Sequence, residues 1–134
     1  MAQLPEPVRK LLEQPNFGHL ATLMPDGSPQ VTPVWVDTDG EHVIVNTAEG
    51  LQKLRNIRRD GRVAIDVVDR SSPYRHATIR GQIVDVTSEG ADAHIVRLAR
   101  KYLGRDTYPD RQPGERRVML KIEPTRITTQ GLES

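Results

Sequence analysis

One stretch of the chain concentrates groups that could hold a ligand: Asn46-Thr47-Ala48-Glu49-Gly50-Leu51-Gln52-Lys53-Leu54-Arg55-Asn56-Ile57-Arg58-Arg59-Asp60. It sets the end of a β-branched run, a hydroxyl, a glycine and a basic segment of helical period in direct succession. The start of a helix offers unpaired N–H groups and the positive end of its dipole. Thr47 adds a hydroxyl donor, and Lys53 can reach back as a point charge, so the group is competent to hold a phosphate. The same lysine and arginines also describe the solvated flank of an amphipathic helix, and on pattern alone that is the commoner explanation.

The rest of the chain lacks the entry points of familiar chemistries. There is no G-x-S-x-G elbow, no G-x-x-x-x-G-K-[ST] loop, no G-x-G-x-x-G after a strand and no H-E-x-x-H. His19, His42, His76 and His94 are solitary, none at i+3 or i+4 from another, so no metal site is expected. Asp37 and Asp39 flank a turn, where backbone hydrogen bonding explains an aspartate better than catalysis does. The absence of cysteine excludes disulfides, thiolate metal sites and thiol nucleophiles. Lys plus Arg is 19 against 18 for Asp plus Glu, a net charge of +1, with one Trp, three Tyr and one Phe for stacking, so no nucleic-acid partner is expected. No apolar run approaches the roughly 20 residues of a membrane span. The start Met-Ala-Gln-Leu-Pro-Glu-Pro lacks a signal-peptide layout, so the expected location is cytoplasmic.

The elements that must position the Asn46–Asp60 stretch are read from periodicity and turns. Val8, Leu11 and Leu12 fall at helical spacing before Pro15 ends the run. His19–Leu23 reads as a strand, Pro25-Asp26-Gly27-Ser28 as a turn, and Gln30–Val36 as the second arm of a hairpin. Pro33 in that arm demands an edge position or a bulge. Asp37-Thr38-Asp39-Gly40 turns the chain into a strand over His42–Asn46, and a helix follows from Ala48 to Asp60, with Leu51, Leu54 and Ile57 on one stripe. Arg62–Val68 and Arg75–Thr87 read as strands, the second bent at Gly81. Ser88 caps a helix carrying Ile95, Leu98, Ala99 and Tyr102, closed by Gly104. A polar loop over Arg105–Glu115 leads to strands at Arg117–Ile122 and Ile127–Gln130, separated by Pro124. The expected fold is one mainly β domain over residues 1–134, a small antiparallel barrel. The helices of about 10–15 residues that parallel strands need between them are missing.

Several segments taken in order carry a resemblance. Gly18-His19-Leu20-Ala21-Thr22-Leu23, Asp26-Gly27-Ser28-Pro29-Gln30-Val31-Thr32-Pro33-Val34-Trp35, Val45-Asn46-Thr47-Ala48 and Lys53-Leu54-Arg55-Asn56-Ile57-Arg58-Arg59-Asp60 resemble the split β-barrel flavin/deazaflavin oxidoreductases. These are relatives of pyridoxamine 5′-phosphate oxidase, the PPOX class of F420-dependent oxidoreductases. Tyr74-Arg75-His76-Ala77-Thr78-Ile79-Arg80-Gly81 and Leu98–Tyr108 extend the resemblance over nearly the whole chain.

That resemblance implies a homodimer of six-stranded split β-barrels, FMN-binding-like in fold, with two cofactor clefts at the subunit interface. It implies that Thr32, Pro33, Val34 and Trp35 lie along the cofactor's ring, while Asn46, Thr47, Lys53 and Asn56 hold its ribityl and phosphate groups. The second subunit's wall would come from Tyr74-Arg75-His76 with the Tyr102 and Tyr108 region. FMN ends in a phosphate, whereas coenzyme F420 carries a phosphodiester and an acidic oligoglutamate tail, so the arginines near Lys53 favour F420, with FMN as the alternative. Pyridoxamine 5′-phosphate oxidase itself is not expected, because its C-terminal Arg-x-His-type motif is missing from Arg126-Ile127-Thr128-Thr129-Gln130-Gly131. The implied activity is hydride transfer from reduced F420 to a small unsaturated or electron-poor organic substrate, with no catalytic side chain named. An FMN-dependent enzyme or a non-catalytic flavin or deazaflavin carrier are the alternatives.

Overall fold

Turn chemistry and alternation build the sheet from hairpins. In the computed structural model, which describes residues 2–132, helix α1 (Glu6–Glu13) precedes β1 (Phe17–Leu23) and β2 (Pro29–Trp35). The two strands pair antiparallel, Phe17 opposite Trp35 and Leu23 opposite Pro29. Asp26 shapes their turn, its Oδ1 accepting from the N–H and the hydroxyl of Ser28. Then come β3 (Asp37–Thr38), β4 (Val43–Ala48), α2 (Gln52–Arg59), β5 (Arg62–Val68), β6 (His76–Thr87), α3 (Ala91–Leu103) and β7 (Arg117–Gln130). Every ladder is antiparallel, in the order β2-β1-β5-β6-β7-β4-β3.

The two edges of that order are neighbours in the chain. Only Val36 separates β2 from β3, so one kinked run pairs with β1 at one end of the sheet and with β4 at the other. The sheet is therefore curled into a split barrel, of six runs when β2 and β3 count as one. Pro33 sits on this edge, opposite His19, where its missing N–H costs no ladder bond.

The kink leaves the backbone of the fully buried Val36 outside both registers, and α3 supplies its partners. The Tyr102 hydroxyl accepts from the Val36 N–H at 2.9 Å and donates to the Asn16 carbonyl at 2.5 Å. Lys101 Nζ donates to the carbonyls of Val36 at 2.6 Å and Leu12 at 2.5 Å, binding α3 to the kink and to α1 at once. Burial lowers the Lys101 pKa, and the charges of Asp37 and Glu13 act against that shift.

The barrel interior is apolar. Leu20, Val36, Val45, Ile65, Ile79 and Leu120 are buried within it, and Val8, Leu11 and Leu12 of α1 with Leu54 and Ile57 of α2 pack against the same core. β6 bends at Gly81 as expected, where a Cβ would collide with the Glu123 carbonyl and lie 2.8 Å from Ile122 Cγ2. The register shift there also explains a difference from expectation. β7 runs unbroken through Pro124, because Arg80 pairs with Arg126 and Gly81 with Pro124, so Thr125 bulges out and the ladder passes over the proline.

Other boundaries move for local reasons. Ala48 belongs to β4, opposite Arg117, and Gly50 turns at φ 91° before α2 starts at Gln52. Gly90, not Ser88, caps α3, with Ser88 contributing its carbonyl to the Ala91 N–H. Asp37-Thr38, expected in a turn, pairs with Ile44 and Val43. Among the described residues no helix is long and apolar enough to cross a membrane.

Replacing Tyr102 with Phe removes the acceptor of a buried N–H and is expected to cost about 1–3 kcal/mol in urea unfolding. Burial pushes the Tyr102 phenol from 10 up to about 12, so the fold favours its neutral form. That contribution is full below pH about 10 and is lost as pH rises towards about 12, a slope in unfolding free energy that the Tyr102→Phe variant should lack.

Candidate functional site

A cleft of about 380 Å³ opens where β2, β4, α2 and the segment leading into β7 meet. Pro33, Val34 and Trp35 reach it from β2, Asn46 and Thr47 from β4, and Lys53 from α2. Six of the eight residues selected by resemblance are thus brought together. Phe17, Leu51, Tyr108, Asp110 and Arg117 complete much of the remaining wall.

The Val36 kink sets the aromatic side of this cleft. Tyr102, held by its two backbone partners, stacks on Trp35 with ring centroids 5.0 Å apart and planes 5° from parallel. Phe17 packs against Tyr102 at 5.7 Å, and Tyr108 meets Trp35 edge-on at 6.0 Å. Tyr102 and Tyr108 pack directly on Trp35 and Phe17 backs Tyr102, giving a flat apolar wall of the kind that planar ligands use.

The opposite character of the cleft is cationic. Lys53 is half-buried and has no ion-pair partner among the described residues; burial first, and the nearby Arg117 charge second, lower its pKa. Arg117 is buried, donates from Nε to Asn46 Oδ1 at 2.8 Å and from Nη1 to Glu115 Oε1 at 2.9 Å, and lies over the Tyr108 ring. The Thr47 hydroxyl is buried with no hydrogen-bond partner. An orphaned buried hydroxyl and two mutually repelling cations are each unfavourable alone. An anionic ligand group would relieve both.

Thr32 and Asn56 do not line the cleft. The Thr32 hydroxyl is buried without a partner elsewhere in β2. Asn56, fully buried, pins α2 to β1: its Nδ2 donates to Thr22 Oγ1 at 3.0 Å and its Oδ1 accepts from Gln52 Nε2 at 2.8 Å. The arginines of α2 are also engaged within the chain. Arg58 makes a two-pronged pair with Glu49 at 2.6 and 2.7 Å, Arg55 binds the Gly50 carbonyl and Gln52, and Arg59 binds the Leu23 carbonyl. Lys53 alone carries the basic character of this helix into the cleft.

Of the segment proposed as a partner wall, Tyr74 is exposed, Arg75 binds Asp69 and the Gly131 carbonyl, and His76 binds Asp66; none lines the cleft of its own chain. Arg117 and Phe17 were not singled out by sequence. Arg117 looks like any strand residue until the β4–β7 register brings it beside Asn46, 71 positions away. Among the described residues no group of three or more potential metal ligands is found.

A model of the pyridoxamine 5′-phosphate oxidase family matches residues 4–131. Among solved structures, an F420 reductase is 37% identical, with a TM-score of 0.81 over 92% of this chain and 98% of its own. A conserved hypothetical protein from Mycobacterium tuberculosis is 26% identical, with a TM-score of 0.72 over 92% of this chain and 81% of its own. The heme storage protein from Vibrio cholerae shares the fold at a TM-score of 0.66, with 16% identity over 98% of this chain and 97% of its own. No curated protein matches the sequence.

Asn56→Ala is expected to lower stability by about 1–3 kcal/mol by stranding the Thr22 and Gln52 side chains. Urea unfolding would show that loss, while the folded variant's affinity for a ligand of the cleft stays unchanged.

Proposed function

Because the chain belongs to the pyridoxamine 5′-phosphate oxidase family, we propose that its cleft holds coenzyme F420 and that the protein is an F420-dependent oxidoreductase. Its substrate would be a small unsaturated or electron-poor organic molecule. The observation that carries the reading is that Lys53, without an ion-pair partner among the described residues, and the orphaned Thr47 hydroxyl line the same cleft as the stacked Trp35. These residues fit a planar ring that ends in an anionic group.

The bound cofactor supplies the hydride chemistry. The chain supplies binding, orientation and shelter from water. Pro33, Val34 and Trp35 give the ring a rigid apolar surface, and the Tyr102 stack keeps that surface from turning. Lys53, Arg117 and Thr47 provide charge and a hydroxyl for the anionic end. Phe17 and Tyr108 cover part of the apolar wall.

The preference for F420 is supported by the likeness to an F420 reductase. The arginines of α2, expected to meet the acidic tail of F420, are engaged by Glu49, Gly50, Gln52 and Leu23 instead. A compact cation pair with one hydroxyl also suits a terminal phosphate, which makes FMN the second reading. A haem carrier has less support, since none of the four histidines lines the cleft and His42, His76 and His94 are held by aspartates.

A homodimer completes the proposal. Phe17, Val31 and Pro33 are exposed on one face of β1 and β2, and the half-buried Ala21 and Ala64 continue that face onto β5 through the pairs Ala21–Val31 and Ala21–Ala64. Phe17 and Pro33 also line the cleft, so a second copy seated on this face would border the cofactor.

Calorimetric titration of the cofactor-free protein should show F420 binding more tightly than FMN, with Lys53→Ala weakening it about tenfold, equivalent to about 1.4 kcal/mol. Tighter FMN binding would move the protein to the flavin branch, and binding of neither would refute the reading. Val31→Glu places a charge among Val31, Ala21 and Ala64, the apolar part of this face beside His19, and is expected to shift the protein from dimer to monomer in sedimentation.

A further inference from the structure

An unbroken chain of polar contacts runs from β3 to the cleft through residues the ligand would not touch. Asp37 Oδ1 accepts from the Thr38 N–H at 2.8 Å, and its Oδ2 lies 3.0 Å from His94 Nε2. His94 is 1% exposed, and its Nδ1 lies 3.1 Å from Asn46 Nδ2. The same Asn46 nitrogen donates to the Ala91 carbonyl at 2.9 Å, while Asn46 Oδ1 accepts from Arg117 Nε at 2.8 Å. Neither Asp37 nor His94 lines the cleft; Asn46 and Arg117 do.

Donor counting leaves one consistent arrangement. Arg117 Nε can only donate, so Asn46 must turn its oxygen towards it and its NH2 towards His94 and Ala91. His94 Nδ1 must then be bare and its proton must sit on Nε2, facing a carboxylate whose other oxygen is already taken by Thr38. Turning the amide over would set two donors face to face at Arg117 and two acceptors face to face at Ala91. The guanidinium is thereby held with Nη1 on Glu115, while Nη2 has no protein partner among the described residues.

We propose that Asp37 and His94 are positioning residues which, by fixing the direction of the Asn46 amide, hold Arg117 in the cleft and set its affinity for the anionic part of the cofactor. This deepens the cofactor reading above and rests on it. Two variants break the chain differently. Asp37→Asn offers one acceptor where two are used, so either Thr38 or His94 loses its partner. His94→Phe keeps most of the buried volume, removes the imidazole from between Asp37 and Asn46, and leaves Asp37 with part of its carboxylate in solvent.

Nitrogen-15 NMR of the cofactor-free protein reads the chain directly. The wild type should show His94 protonated at Nε2 and a slowly exchanging Arg117 Nε–H resonance. Both variants should lose or strongly shift the arginine resonance while thermal unfolding confirms that they fold. Titrated with F420 and FMN, both should bind about tenfold more weakly than wild type, the scale of one charge-assisted hydrogen bond. An unchanged Arg117 resonance in both variants, or unchanged affinity once it is lost, overturns the proposal. If the wild type binds neither cofactor, the cofactor reading fails by itself, and the Arg117 resonance still decides whether Asp37 and His94 position that side chain.

Discussion

The backbone of Val36 is the constraint on which the rest of the structure depends. A sheet whose first and last strands are the same run of chain has to break its hydrogen bonding where the run changes partner, and here it breaks at one buried residue. A buried N–H and C=O without partners cost about 1–3 kcal/mol each, a large share of the roughly 5–15 kcal/mol that keeps a typical domain folded. Lys101 and Tyr102 supply those partners from adjacent positions on one helix. Barrel closure thus draws on α3 for the hydrogen bonds of Val36, and the Tyr102 ring placed there is the surface on which Trp35 rests.

From that anchor the two halves of the cleft follow. The aromatic half is positioned by β2 and α3, and the polar half by the β4–β7 ladder, which sets Asn46 beside Met119 and Ala48 opposite Arg117. His94 joins the halves, since it sits on the helix that carries Tyr102 and touches both Asp37, next to the kink, and Asn46, in the cleft. A low-dielectric site lined with fixed donors binds an anion without reorganising, which is the advantage of building such networks in advance of the ligand.

Much of the fold was legible because it is local. The Asp26-Gly27 turn, the edge position implied by Pro33, the bend at Gly81 and the apolar stripe of α3 each depend on a few neighbouring residues. The cleft was legible in part: Asn46, Thr47 and Lys53 lie near a strand end or in the first turn of a helix, where chemistry gathers, while Trp35 was reached only through the family resemblance. The kink at Val36 was not legible. Val36 is one valine in an alternating run, and nothing near it reports that its partners lie 65 and 66 positions away. Asn56 was assigned to the ligand by resemblance, and no local pattern reports its contact with Thr22, 34 positions away, which ties α2 to β1 outside the cleft lining. The arginines of α2, open in the sequence to either a solvated flank or an anionic tail, bind Glu49, Gln52 and the carbonyls of Gly50 and Leu23, contacts that only the folded chain presents.

Trp35 is the only tryptophan of the chain and forms part of the proposed ring wall, so its emission reports on that wall alone. The most direct measurement is intrinsic fluorescence of the cofactor-free protein during titration with coenzyme F420. Seating the ring on Trp35 predicts saturable quenching that ends at one cofactor per chain. Emission that stays constant after correction for absorbance, at concentrations where calorimetry reports binding, would place the ligand away from Trp35 and contradict the assignment of this cleft.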